Sequence, residues 1–489
     1  MTDDLDHVIP PQEALATSRS RLLKTLPPDG LGLQETSKHL RDDITPGLNR
    51  SSQSPNFYGF VTGGATPAAK FADNIVTEYD QFVQIHQPND TISTEVEDAA
   101  LRMLCDLVDL PEDQWPHRTF TTGATGSNIV GLACGREYVI REAARLKDPA
   151  AEKANVSEDG IVQAMRKASI DGIQILTTVP HSSLRKAASI VGLGRACVHD
   201  VGLYQAKHHF NFQQLEELLQ TPRTASVIVV SCGEVNTGFF ATSGDDMQQL
   251  RALADKYHAW IHVDAAFGLQ ARCLPRDNNL YRAIVDGVKG LELADSITGD
   301  AHKLLNVPYD CGIFLSRHLD LGIQVFQNTG AAYLSSPTSN DERTIPSPLN
   351  IGLENSRRFR ALPVYATLAA YGKSGHQRIL ANQIGLAREI AKFVASHPAY
   401  ELLPRIPPSF EKPKEQGIST TYIVVLFRAT DDSVNKELVQ RINSTRRIYV
   451  SGTQWDGQPA ARFAISNWQA DIERDFALIK EVLESVLQK

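Results

Sequence analysis

Between residues 115 and 320, short apolar runs alternate with segments whose apolar residues recur at helical spacing, and this alternation is the strongest constraint on the fold. Five runs are predicted to be strands: GIQILTTV (172–179), ASVIVVSC (225–232), WIHVDAAF (260–267), DSITGD (295–300) and CGIFLSR (311–317). Between the second and third, DDMQQLRALADKYHA (245–259) follows a period near 3.6 and is predicted to be a helix. Repeated strand–helix–strand order favours an α/β fold with a mostly parallel sheet between layers of helices.

The chain of 489 residues is long enough for two or three domains. Residues 1–95 are interrupted by turn-forming stretches and predict a helical, loop-rich N-terminal segment. Residues 96–355 contain the alternating pattern and predict one large domain. Residues 356–489 end in a strand-like run followed by an amphipathic helix, which predicts a small C-terminal α/β domain.

Composition excludes several classes of protein. A net charge of -8 argues against a nucleic-acid partner. The longest apolar runs, such as SVIVVSC (226–232), are too short to cross a membrane, and the acidic N-terminus lacks the apolar core of a signal peptide. The 6 cysteines form no CxxC pair, so we expect a reducing compartment and no metal site. The sequence therefore predicts a cytoplasmic enzyme with a small-molecule substrate.

Four polar features follow predicted strands, and ligands of open α/β sheets bind at this edge. Asp264 ends an apolar strand and can pair with a protonated heterocyclic nitrogen, or it can simply cap the next turn. The segment TTGATGS (121–127) opens a helix whose free N–H groups suit a phosphate, although an ordinary helix cap has the same composition. His181 and Lys303 complete the set; taken alone, each is more often a structural or a surface residue.

The setting of Lys303 is unusual for a surface lysine. It lies in DSITGDAHKLLNVPYDCG (295–312), after a strand-like run and before a Pro-containing turn. A lysine that forms a Schiff base has to be held at one spot and partly out of water. A phosphate cradle, an imidazole, a carboxylate and this amine together meet the needs of pyridoxal 5'-phosphate.

With these four features, the chain resembles the group II pyridoxal-phosphate-dependent decarboxylases, the family of aromatic-amino-acid, tyrosine and glutamate decarboxylases. The resemblance runs from about residue 54 to the end of the chain. Its motifs are SPNFYGFVTGGATPAAKFADNI, STEVEDAALRML, PHSSLRKA, HVDAAFG, ADSITGDAHKLLNVPYDCG, SRRFRALPVYATLAAYG and VSGTQWDGQPAARFAISNW. It implies the fold-type I architecture: a large domain with a seven-stranded, mostly parallel sheet and a small C-terminal α/β domain.

The resemblance also implies roles for individual residues. Lys303 would form the Schiff base, Asp264 would keep the pyridine nitrogen protonated, and His181 would stack on the ring and help to aim the scissile bond. The positions implied to contact the cofactor are Gly123, Ala124, Thr125, His181, Asp264, Ala266, His302 and Lys303.

Asn236 or Thr237 could contact the 3'-oxygen of the cofactor. Asp300 stands where related enzymes often carry Asn, so its role stays open.

The implied activity is decarboxylation of an L-amino acid to an amine and carbon dioxide by a homodimer with its active sites at the subunit interface. Two alternatives stay open. One is a different outcome with the same cofactor, such as oxygen-dependent aldehyde formation or other carbon–carbon chemistry. The other is a catalytically silent binding homologue, against which the intact Lys303, Asp264 and His181 argue.

Two segments bear on the substrate and the product. The stretch QFVQIHQPNDTISTEVED (81–98) aligns with the side-chain pocket of the family, so His86 and Asn89 predict a polar pocket unless they face solvent in a turn. Many aromatic-amino-acid decarboxylases carry a tyrosine on a mobile loop that protonates Cα. The corresponding loop here, SSPTSNDERTIPSPLN (335–350), contains no tyrosine, and Tyr333 precedes it.

Overall fold

The computed structural model describes residues 7–149, 154–329, 345–405 and 413–488. In chain order its strands are β1 (Phe57–Tyr58), β2 (His117–Thr121), β3 (Gly172–Thr177), β4 (Val198–Asp200), β5 (Thr224–Ser231), β6 (Trp260–Asp264), β7 (Ser296–Asp300), β8 (Gly312–Ser316), β9 (Tyr400–Leu403), β10 (Val424–Ala429), β11 (Tyr449–Trp455) and β12 (Gln458–Ala464). Its α-helices are α1 (Gln12–Arg21), α2 (Gly32–His39), α3 (Pro67–Tyr79), α4 (Ser93–Leu107), α5 (Ala124–Lys147), α6 (Val156–Asp159), α7 (Ile161–Ala168), α8 (Ser182–Ile190), α9 (Phe212–Leu219), α10 (Gly244–Tyr257), α11 (Arg282–Gly287), α12 (Ala301–Leu304), α13 (Leu319–Phe326), α14 (Ala361–Ser396), α15 (Pro413–Thr420), α16 (Asp432–Ser444) and α17 (Ile472–Ser485).

One compact unit, Ala65–Leu380, is built on a seven-stranded sheet with the order β2-β8-β7-β6-β5-β3-β4. Strand β8 runs antiparallel to both neighbours, and the other adjacent pairs are parallel. This architecture confirms the predicted α/β fold class. The five predicted strands all form, whereas β2 and β4 were not among them, since β2 mixes polar with apolar residues and β4 has only 3.

The central strands are buried because helices cover both faces of a parallel sheet. All five residues of β7 and of β8 are buried, which explains their nearly uncharged sequences. Helix α5 packs on the sheet through two glycines. A Cβ at Gly131 would lie 2.6 Å from Nδ1 of His262, and one at Gly135 would lie 2.9 Å from the ring of Trp260. The glycines therefore let α5 approach β6 closely.

The other compact unit comprises the described residues of Met1–Gly64 and Ala381–Lys489. Its five-stranded sheet has the order β1-β11-β12-β10-β9. Strand β1 pairs in parallel with β11, and the remaining pairs are antiparallel. The rings of Phe427 and Phe463 stack at a centroid distance of 5.4 Å in its core. The C-terminal part of the chain thus forms the small α/β domain; the boundaries at residues 95 and 355 stay a prediction.

No α-helix among the described residues is long and apolar enough to cross a membrane. No group of three or more His, Cys, Asp or Glu side chains in the same residues is arranged to hold a metal ion.

Candidate active site

The sheet register brings the ends of several strands to one edge. Gly312, at the start of β8, pairs with Thr121 on one side and with Asp300 on the other, so the ends of β2 and β7 lie on either side of the start of β8. Asp264 ends β6 and pairs with Ser231 at the end of β5. This edge is where the sequence predicts a ligand site, because the carboxyl ends of neighbouring strands meet there.

Lys303 lies in the short helix α12, which directly follows β7. Its Nζ is 2.8 Å from Oδ2 of Asp300, and only 3% of that aspartate's side chain is exposed. The same ammonium lies 5.8 Å from the ring centroid of Phe267. A buried carboxylate and an aromatic ring therefore hold the amine at one place, as a Schiff-base lysine requires.

Helix α5 begins at the same edge, where Gly123 precedes it without a side-chain cap. The first amide of the helix, on Ala124, donates to Oδ1 of Asp300 at 2.6 Å. A Cβ at Gly123 would lie 3.3 Å from Cε1 of His302, so the imidazole faces the helix start. The long α5 places partial positive charge here, which suits an anion such as phosphate.

The ring of His302 is oriented by a main-chain carbonyl. Its Nδ1 lies 3.0 Å from the oxygen of Cys311, and because a carbonyl only accepts, Nδ1 carries the hydrogen. Burial lowers the pKa of His302, and the carboxylate of Asp300 opposes that change. Burial therefore favours the neutral form of the imidazole.

The carboxylate of Asp264 accepts two hydrogen bonds within the chain. Nδ2 of Asn128 donates to Oδ2 at 2.8 Å, and the amide of Ala266 donates to Oδ1 at 3.3 Å. Two donors on different oxygens fix the plane of the carboxylate. Asn128 was not among the site residues predicted from the sequence, although a polar residue on the inward face of the helix was the available signal.

His181 caps helix α8 with its own ring. Its Nδ1 accepts from the amide of Ser183 at 3.2 Å and lies 2.6 Å from that serine's Oγ. The histidine side chain is therefore the cap of this helix. Since Nδ1 accepts, the hydrogen of the neutral ring is on Nε2.

The other predicted positions have different settings. His86 is buried, with Nδ1 2.8 Å from Oγ1 of Thr94, whereas Asn89 is exposed in a turn. The hydroxyl of Thr237 is 2.8 Å from Glu234 Oε2, to which it donates, so Thr237 braces its own loop. Tyr333 and residues 335–344 lie outside the described residues.

The chemistry of these side chains fits pyridoxal 5'-phosphate. A primary amine, on Lys303, is the group that condenses with its aldehyde. A half-buried carboxylate with fixed orientation, on Asp264, suits a protonated ring nitrogen. The start of α5 supplies backbone N–H groups and the partial positive charge of the helix end, and His302 adds a ring nitrogen beside them, for a phosphate.

Comparisons with known proteins agree with this chemistry. A family model described as the pyridoxal-dependent decarboxylase conserved domain matches residues 18–407. L-2,4-Diaminobutyrate decarboxylase of Acinetobacter baumannii is 28% identical over 327 residues, an alignment that covers 66% of this chain and 60% of that enzyme. Tyrosine decarboxylase 2 of Arabidopsis thaliana is 26% identical over 450 residues, which cover 88% of this chain and 74% of the relative. This chain therefore spans less than two thirds of the bacterial enzyme and about three quarters of the plant enzyme.

A solved structure shows the same fold. The crystal structure of Oryza sativa TDC with PLP and tryptamine superposes with a TM-score of 0.76 at 22% identity, covering 100% of this chain and 94% of that one. Fold and site together define a pyridoxal-phosphate enzyme of the α/β class. The chain belongs to the pyridoxal-dependent decarboxylase family, so its reaction class is amino-acid decarboxylation, a carboxy-lyase activity, and its cofactor is pyridoxal 5'-phosphate.

Proposed function

We propose that this chain removes the α-carboxyl group of an L-amino acid as carbon dioxide, with Lys303, Asp264 and His181 as its catalytic residues. The observation that carries the proposal is the fixed amine: Nζ of Lys303 lies 2.8 Å from a buried carboxylate at the edge where β6 and β7 end. When bound, the cofactor supplies a protonated ring that takes up the electron pair left by the departing carboxylate.

The remaining steps belong to the side chains. Lys303 would bind the cofactor covalently and yield its place to the substrate's amino group. Asp264 would hold a proton on the ring nitrogen, since its carboxylate is oriented by two N–H donors. His181 would lie against the ring with Nε2–H as its donor, and Ala266 offers only a methyl group to the opposite face. Gly123, Ala124, Thr125 and His302 would hold the phosphate.

The N-terminal segment supports a homodimer. Helix α1 buries only Ser18, and α2 buries no residue. Large apolar side chains nearby are exposed, with Leu26 at 94% and Leu33 at 85%. Apolar surface of this kind marks a protein interface, and we propose a second copy of this chain as its partner.

The cysteines support a cytoplasmic location. Each of the 6 is a free thiol, and only Cys197 is not buried. Unpaired thiols are typical of reducing compartments. We therefore propose a cytoplasmic dimer.

The activity is tested by incubating the purified, cofactor-loaded protein with a panel of amino acids and measuring amine and carbon dioxide by mass spectrometry. We expect at least one amino acid to give both products. Lys303→Ala should give neither and should gain no cofactor mass after borohydride reduction, whereas Lys256→Ala, an exposed lysine paired with Glu216, should behave like the wild type. Turnover by Lys303→Ala at the wild-type rate would overturn the assignment.

A further inference from the structure

Asn128 lies at a junction between two predicted cofactor contacts. Its Nδ2 donates to Oδ2 of Asp264 at 2.8 Å and to Oγ of Ser183 at 3.5 Å. That serine contacts His181, as described above. The side chain is fully buried, at 0% exposure, in the first turns of α5. One amide therefore connects the acid that would face the ring nitrogen with the imidazole that would stack on the ring.

A buried chain of hydrogen bonds continues behind Asn128. Its Oδ1 lies 2.9 Å from Nε2 of His262, whose Nδ1 lies 2.7 Å from Oγ of Ser296. Nε1 of Trp260 donates to the same serine oxygen at 3.0 Å. The histidine, the serine and the tryptophan are all 0% exposed, so the chain has no contact with solvent.

The carboxylate of Asp264 determines which group donates in each hydrogen bond from Asp264 back to Ser296. A carboxylate only accepts, so Asn128 must present its NH₂ group to Asp264 and its oxygen to His262. Nε2 of His262 must then carry the hydrogen, and Nδ1 must accept from the hydroxyl of Ser296. The donors therefore point in one direction, from Trp260 to Asp264, and hydrogen bonds aligned in this way polarise one another.

We propose that Asn128 is a positioning residue that orients the Asp264 carboxylate toward the ring nitrogen of the cofactor, and that His262 fixes the orientation of the Asn128 amide. This inference rests on the proposed function, because it acts through the pairing of Asp264 with that nitrogen. The reverse orientation of the amide would place its oxygen against the carboxylate. His262 prevents this by offering only a donor to Oδ1.

Two features keep the arrangement constant. Burial lowers the pKa of His262 to about 4, so the ring is neutral at physiological pH and its tautomer does not change there. Gly131 lies one turn from Asn128 on α5, and the absence of a side chain lets the helix rest on the His262 ring. We call the hydrogen-bonded chain from Trp260 through Ser296, His262 and Asn128 to Asp264 the relay. It is part of the contact between α5 and β6.

The test compares two cofactors. The dissociation constants of pyridoxal 5'-phosphate and of its 1-deaza analogue, in which carbon replaces the ring nitrogen, are measured by titration of the cofactor-free protein. We expect the wild type to prefer the natural cofactor and Asn128→Leu to weaken its binding by about tenfold while changing that of the analogue far less, since only the natural ring pairs with Asp264. The matched control is Glu137→Leu, which removes another buried polar group of α5 that bonds Val156 and Gln324 and does not contact the relay.

A second variant covers the case in which Asn128→Leu does not fold. Asn128→Asp keeps the shape but places a second carboxylate against Asp264, so it should also weaken the natural cofactor selectively. Equal loss for both cofactors, or no loss in either variant, would overturn the role of Asn128. A wild type that binds both cofactors equally would overturn the role of Asp264, and this inference with it.

Discussion

Asp300 binds the two groups that a cofactor would need. Its Oδ2 pairs with Nζ of Lys303 at 2.8 Å, and its Oδ1 accepts the amide of Ala124 at 2.6 Å. It is 2% exposed, so solvent does not screen its charge. An anionic phosphate at the start of α5 would compete with this carboxylate for the same amide and would be repelled by it.

The first prediction concerns the charge of Asp300. Asp300→Asn keeps an oxygen for Ala124 but removes the negative charge, so we expect pyridoxal 5'-phosphate to bind roughly tenfold tighter. The measurement is the dissociation constant from absorbance titration of the cofactor-free protein. Asp295→Asn is the control, because that buried carboxylate directly precedes β7, at the opposite end of the strand, and pairs with Arg251 instead. Weaker binding by Asp300→Asn, with Asp295→Asn unchanged, would show that the phosphate does not compete with Asp300.

The second prediction is a pH dependence at His302. Nδ1 already donates to Cys311, so Nε2 can donate to a phosphate only when the ring is protonated. Burial holds the pKa of the cofactor-free ring below its ordinary value of 6.5, and a bound phosphate would raise it. The complex then holds one proton more than the free protein, so the affinity should fall as pH rises.

The size of this effect is set by the coupling between proton binding at His302 and phosphate binding. The fall should begin above the pKa of the free ring, reach up to about tenfold per pH unit, and end at the higher pKa of the complex. Four other groups also face the ring: Asp300, Lys303, Asp310 and Tyr309. The cofactor phosphate itself titrates near pH 6. His302→Gln leaves these groups in place. A profile for His302→Gln as steep as that of the wild type would exclude proton uptake at His302.

The third prediction concerns stability. A methyl group at Gly131 would lie 2.6 Å from Nδ1 of His262, whose ring is enclosed by the core and cannot move aside. Gly131→Ala should therefore lower the free energy of unfolding by about 1–3 kcal/mol, measured by chemical denaturation. In Gly172→Ala, the new methyl group meets nothing within 4 Å, so the free energy of unfolding of this variant should change little. Equal stability of the two variants would contradict the close contact between α5 and β6.

The sequence predicted the parts of the site that follow strands. Asp264 and Lys303 could be proposed as site residues because each lies at or just after the end of a strand with a clear boundary. The partners of these residues were not predictable in this way. Asn128 reaches Asp264 across 136 positions, and Ala124 meets Asp300 across 176. Such pairs depend on how closely α5 packs on the sheet. Gly131 and Gly135 set this distance, and the apolar pattern of the sequence does not reveal it.

The last prediction concerns the product and starts from the loop at residues 335–350, which contains no tyrosine. Without a tyrosine at this place, Cα has to receive its proton from another group, such as Nε2 of His181, or be oxidised before it does. We therefore expect the amine to be accompanied by a minor share of aldehyde in air. Each aldehyde would consume one oxygen molecule and one water and release carbon dioxide, ammonia and hydrogen peroxide. The ratio of amine to carbon dioxide is measured in air and without oxygen. One amine per carbon dioxide under both conditions, with no peroxide, would show that a substitute acid protonates Cα completely.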